Sequence, residues 1–132
     1  MTTELYWLTL TTLMTALFWL PYVLNRIAVR GLMRAMGNPQ STDKPHSPWA
    51  ERALAAHGNA VENLVIFAVL ILVAHVVGVS NGVTEGAAVI YFLARLAHFL
   101  AYLFGIPGAR TLTFAASWLC QMAVGFSILG LL

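Results

Sequence analysis

Four apolar runs divide this chain: Leu5–Leu24, Leu54–Val79, Ala87–Phe104 and Leu112–Leu132. Each is close to the ~20 residues that an α-helix needs to cross a ~30 Å hydrocarbon layer. None alternates apolar with polar residues, as the strands of a membrane barrel do. Composition rules out folding the runs away in water. Of the 132 residues 60% are apolar and only 9% are charged, against about 25% charged in an ordinary soluble domain. A small globule has too much surface to hide that much apolar side chain. The expected fold is an all-α integral membrane four-helix bundle. It forms a single domain over residues 1–132, with helices over about 5–26, 52–79, 86–104 and 111–132. The first run has Glu4 as the only charge before it and no small-residue cleavage site after it, so it is expected to be a span and not a cleaved leader.

The connections carry the charge. Arg26 to Ala50 is a polar loop with Arg26, Arg30, Arg34 and Lys44 against Asp43, while Ser80–Glu85 has no basic residue and Gly105–Arg110 ends on Arg110. By the positive-inside rule loops one and three face the cytoplasm and both termini face the other side. Trp7, Trp19, Tyr22, Trp49 and Tyr102 fall where aromatic anchors sit at membrane interfaces. The few basic residues are accounted for by orientation, so no nucleic-acid partner is expected. The lone Cys120 excludes an intrachain disulfide. His46, His57, His75 and His98 share no metal-ligand spacing, so no metal is expected.

Polar residues inside the spans point to function, because ionisable groups there are costly and need partners. At 3.6 residues per turn, Arg52, Asn59 and Asn63 form one stripe on the second helix, with Glu62 beside it and His57 nearly opposite. On the third helix Tyr91, Arg95, His98 and Tyr102 form a stripe through the membrane, and on the fourth Arg110, Ser117 and Gln121 share a face. Lipid cannot satisfy these groups, so the stripes should turn toward one another. Glu62 and Arg95 could form a structural ion pair, with Asn59, Asn63 and Gln121 as interhelical hydrogen bonds. Even so, Arg52, Arg95 and Arg110 outnumber the one internal carboxylate, Glu62. The surplus points to a carboxylate-bearing ligand, which guanidinium groups grip in bidentate fashion. Arg52 and Arg110 place the pocket near the cytoplasmic interface.

The segment Ala56-His57-Gly58-Asn59-Ala60-Val61-Glu62-Asn63 resembles the Arg-Ala-His-x-Asn-x-x-Glu signature of the membrane-associated proteins in eicosanoid and glutathione metabolism (MAPEG). Arg95-Leu96-Ala97-His98 with Tyr102, followed by Arg110, resembles that family's third- and fourth-helix motif, and the likeness covers essentially the whole chain. The resemblance implies a homotrimer of four-helix subunits in a membrane, commonly the bacterial inner membrane, with glutathione bound between neighbouring subunits. It implies that Asn59 and Glu62 hold the peptide, Glu62 accepting from its amine, and that His98 and Tyr102 line the site with Arg52 and Arg95. It also implies that Arg110 sits by the thiol with Thr111 as its hydroxyl neighbour, and that Arg26 or Arg30 is the arginine from the first helix. The activity implied is glutathione-dependent transfer to lipophilic electrophiles, or reduction of lipid hydroperoxides, with no metal.

Three positions depart from the family pattern, one being Phe114, where some relatives carry a tyrosine early in the fourth helix. Ala55 replaces the arginine of Arg-Ala-His, and Gly58 stands where relatives are often basic. Both remove cations that a tripeptide with two carboxylates would use. They motivate an alternative, a non-catalytic scaffold, accessory or lipid-binding member. A small four-helix multidrug transporter using Glu62 is a further alternative. Such proteins, however, usually carry the key glutamate in the first helix and have short loops.

Overall fold

The computed structural model describes all 132 residues, and every regular element is a helix. These are α1 (Thr3–Leu17), α2 (Trp19–Arg30), α3 (Leu32–Met36), α4 (Pro48–Val76), α5 (Gly82–Leu103) and α6 (Pro107–Ile128). Four spans are long and apolar enough to cross a membrane: Thr3–Arg30, which joins α1 to α2, then Pro48–Val77, Gly82–Leu103 and Pro107–Ile128.

Local chemistry sets the boundaries. The first span breaks at Phe18 because of Pro21. A proline lacks the N–H that would reach the carbonyl four residues back, at Leu17, and its ring crowds that carbonyl. The Phe18 N–H bonds instead to the Thr15 carbonyl at 3.2 Å. Gly31, at φ 82°, ends α2 in a left-handed conformation that favours glycine and lets α3 leave the axis of the span. Proline at the first helical turn opens both α4 and α6, where its missing N–H would have been unpaired anyway. Helices thus begin at Pro48 and Pro107, each four residues ahead of the start expected from hydropathy. Asn81 and Thr84 form a reciprocal capping box at the start of α5. Thr84 also donates to Glu4 Oε1 at 2.5 Å, which ties the start of the first span to the start of the third. Sequence reasoning gave Glu4 no such role.

Apolar packing occupies two zones. One gathers Leu8, Phe67, Ile71, Ala88, Tyr91 and Val124, with the Phe67 and Tyr91 rings stacked 3.7 Å apart. The other gathers Phe18, Ala53, Ala56, Ala60 and Phe99, with Phe18 stacked on Phe99 at 3.9 Å. The alanine row of α4 lets neighbouring backbones approach closely, as small residues do in membrane bundles. Outside, Leu13, Leu24, Val65, Val69, Leu72 and Leu112 are exposed in the single chain, the expected inversion for a surface that faces lipid. Phe67 has no exposed surface. Phe67→Ala should therefore lower unfolding stability in detergent by about 3 kcal/mol, measured by denaturant titration of helical circular dichroism; a loss under about 1 kcal/mol would mean that the stack contributes little.

Candidate functional site

The three polar stripes do meet. On α5, Tyr91, Arg95 and His98 are buried and point between α4 and α6. Arg95 donates from Nη2 to Asn59 Oδ1 at 2.6 Å and from Nη1 to Ser117 Oγ at 3.3 Å. Asn63 donates to the Asn59 carbonyl at 2.9 Å, and Gln121 donates to the Asn63 carbonyl at 3.2 Å. One residue of each helix pair thus satisfies another where lipid offers nothing. Arg95 Nε and His98 Nδ1 remain buried without a partner.

The alternative of a structural Glu62–Arg95 ion pair is not realised. Glu62 sits exposed on the outer face of α4, among exposed Val61, Val65 and Ile66. The reason is angular. Three residues beyond Asn59 is 300° around the helix, so Glu62 turns away from the stripe while Asn63, at 400°, stays on it. Neutral amide and hydroxyl oxygens hold the Arg95 guanidinium instead.

Toward the end of the bundle that carries the first and third loops, Arg52, Ala101, Tyr102, Gly105, Pro107 and Arg110 line a cavity of about 270 Å³. Arg52 donates from Nε to the Leu103 carbonyl at 3.1 Å. The Arg110 guanidinium carbon lies 4.7 Å from the Tyr102 ring centre, a cation–π contact. Tyr102 in turn meets His98 edge-on at 5.7 Å. Gly105 is favoured here by its backbone, and Arg52 packs directly over it. Its φ is +70°, and a Cβ would come within 3.4 Å of Arg52 Nε. Neither Arg52 nor Arg110 has an acidic partner; the ion pairs of the chain are Arg30–Asp43 and Arg34–Asp43, and Glu51 lies 3.6 Å from the His46 ring. Two guanidinium groups with unused donors beside an aromatic ring can take up a carboxylate and favour an anion placed between them.

The remaining expected residues lie elsewhere in the single chain. Arg26 donates from Nε to His46 Nε2 at 3.1 Å, and Arg30 donates to the Lys44 carbonyl at 2.6 Å, so both belong to the first loop and not to the cavity lining. Thr111 is exposed and returns its hydroxyl to the Pro107 carbonyl at 3.2 Å. His57 shares a 2.8 Å hydrogen bond with the Tyr22 hydroxyl, as a packed histidine. Sequence reasoning missed Ser117 as a direct partner of Arg95. Its signal was present in the spacing, since Ser117 shares a face with Gln121.

Arg26 depends on His46. Burial first, then the adjacent Arg26, hold His46 below the usual histidine pKa, while Glu51 opposes them and Arg30 adds to them. A histidine depressed in the folded state contributes stability that is complete above its unfolded pKa of ~6.5 and is lost as pH falls below it. Proton uptake at Nε2 would also remove the acceptor for Arg26. Amide hydrogen exchange in residues 40–47 should therefore quicken as pH drops below about 6.5, after correction for intrinsic rates. His46→Asn should flatten that dependence, and an unchanged profile in the variant would assign it to another group. In the membrane layer, Asn59→Ala leaves a buried guanidinium without its best acceptor and should cost about 2 kcal/mol. Arg95→Met added to that variant should restore most of the loss, because the uncompensated charge is then gone.

The chain matches the family model described as the MAPEG family over residues 5–130. Comparison with curated proteins gives no match. Members of the matched family include glutathione transferases and peroxidases as well as non-catalytic proteins. The match spans all four membrane helices, Arg95, and the cavity of Arg52, Tyr102 and Arg110, and on that ground the chain belongs to the MAPEG family.

Proposed function

We propose that the protein is a glutathione-dependent membrane enzyme, a transferase or peroxidase acting on lipophilic electrophiles or lipid hydroperoxides. The observation that carries this reading is the cavity where Arg52 and Arg110 have no acid to answer them. Glutathione offers two carboxylates, an amine and a thiol. Arg52 takes a carboxylate, and Asn59, Arg95, His98 and Tyr102 form the polar floor. Glu62 accepts from the amine, and Arg110, with Thr111 beside it in sequence, faces the thiol.

Glu62 supports an assembly as well. A carboxylate on an apolar outer face is unfavourable against lipid, and a neighbouring subunit removes it from lipid. In a homotrimer, glutathione would bridge Glu62 of one subunit to cations of the next, with Arg26 or Arg30 supplied from the first loop. Both termini lie on the non-cytoplasmic side in this reading, and the membrane is the bacterial inner membrane.

The chemistry is modest in its demands. A free thiol has a pKa of ~8.5 and is mostly protonated at neutral pH. Each unit of lowering needs ~1.4 kcal/mol of preference for the thiolate, which a nearby guanidinium supplies. The thiolate sulfur then attacks an electrophilic carbon and expels the leaving group. With a hydroperoxide it attacks the terminal oxygen, giving a sulfenic acid and an alkoxide that takes a proton. A second glutathione converts the sulfenic acid to disulfide and water.

Ala55 and Gly58 favour one other reading, a non-catalytic member that kept the fold. Both are exposed positions on α4, and within the chain nothing lies within 4 Å of a Cβ built on Gly58. Calorimetry of glutathione binding to the purified protein separates the two. Binding should appear at millimolar or tighter levels and fall on the order of tenfold or more in Glu62→Gln, which loses a charge-assisted hydrogen bond. A well-folded protein that binds no glutathione would support the non-catalytic reading. Arg110→Ala should keep glutathione bound and lose the ultraviolet absorbance of its thiolate; unchanged absorbance would overturn the role given to Arg110.

A further inference from the structure

The first loop closes around a second polar cavity, of whose lining the glutathione reading draws on Arg30 at most. It has a volume of about 250 Å³ and is lined by Arg30, Arg34, Gln40, Thr42, Asp43 and Lys44. Three cations against one carboxylate leave it at net +2. The carboxylate is already spent on organising the site. Asp43 Oδ1 accepts from Arg34 Nε at 2.5 Å, while Oδ2 accepts from the Gln40 backbone N–H at 2.8 Å and lies 3.9 Å from Arg30. Arg34 is fixed further by donating to the Asn38 carbonyl. The Lys44 ammonium has no acidic partner.

Apart from Arg34, the short helix α3 is apolar. On α3, immediately after the first span, Leu32, Met33 and Met36 are 55%, 81% and 73% exposed. This short helix places bare apolar side chains and Arg34 together at the level where the first span leaves the hydrocarbon. Cations that hold a phosphate, beside side chains that accept an acyl chain, match the two halves of a phospholipid. Free phosphate would satisfy the cations and leave Leu32, Met33 and Met36 in water.

We propose that the cavity of Arg30, Arg34 and Lys44 binds the phosphate headgroup of an anionic phospholipid, with its acyl chain against Leu32, Met33 and Met36. The lipid holds the first loop on the membrane surface. The proposal does not rest on the glutathione reading, and it is tested in protein free of glutathione.

The experiment is native mass spectrometry of the protein released from nanodiscs of phosphatidylcholine with phosphatidylglycerol. The wild-type protein should retain phosphatidylglycerol in preference to phosphatidylcholine. Lys44→Gln should weaken that retention about fivefold, the effect of removing one cation near a membrane surface. Met33→Ser with Met36→Ser should weaken it with the charges intact. Arg34→Gln also breaks the Asp43 contact and can loosen the loop, so Lys44→Gln carries the charge test. Equal retention of the two lipids, or retention unchanged in both the Lys44 and the methionine variants, would overturn the proposal. So would thermal stabilisation by inorganic phosphate equal to that by phosphatidylglycerol, which would mark a soluble-anion site.

Discussion

A guanidinium buried in the hydrocarbon layer sets the terms for this fold. Arg95 cannot hydrogen-bond to lipid, so Asn59 from α4 and Ser117 from α6 must both reach it. That requirement fixes the register of three helices at once. Asn63 and Gln121 repeat the arrangement about one turn further along, and the stacked pairs Phe67–Tyr91 and Phe18–Phe99 fill the space on either side. Burial alone gives little such direction in a membrane, because lipid tails are as apolar as leucine. Polar satisfaction supplies it instead.

The placement of acids then decides where the chemistry can be. Glu4 is engaged with Thr84, Asp43 with Arg34 and Arg30, and Glu51 with His46, while Glu62 faces outward. Arg52 and Arg110 are left unopposed at one end of the bundle, with Tyr102 between them and the polar layer beneath. The first loop keeps its own surplus around Asp43, where the Gln40 N–H and then Arg34 and Arg30 hold the carboxyl below its usual range and thus ionised. Two separate regions of unanswered positive charge therefore share one end of the molecule. One is built on helix ends and the other on a loop.

Much of this was legible without coordinates. The four spans follow from run length, and the inward stripes of Arg95, His98 and Gln121 follow from the helical period and the absence of hydrogen-bonding solvent. The motif around Asn59 and Glu62 resembles the family that the match over residues 5–130 then shows. Other features were not legible. The break at Phe18 depends on where Pro21 meets Leu17, within a run that reads as continuous by hydropathy. The Glu4–Thr84 link joins residues from two spans that only packing brings together. Glu62 looked like the natural partner of Arg95 because opposite charges attract at any distance on paper.

By itself the amino-acid sequence determined the class of solvent, the number of spans and which face of each helix had to be protected. Those depend on transfer free energies and on a fixed rotation per residue, both of which are local. The tertiary structure alone decided which polar atoms answer one another. Arg95 meets Asn59 and Ser117 and not Glu62, and Arg26 and Arg30 fold onto the first loop and not into the Arg52–Arg110 cavity. The physical reason is that a hydrogen bond reaches ~3 Å, so about 60° of helix rotation is enough to send a side chain from the core of the bundle to its outer surface.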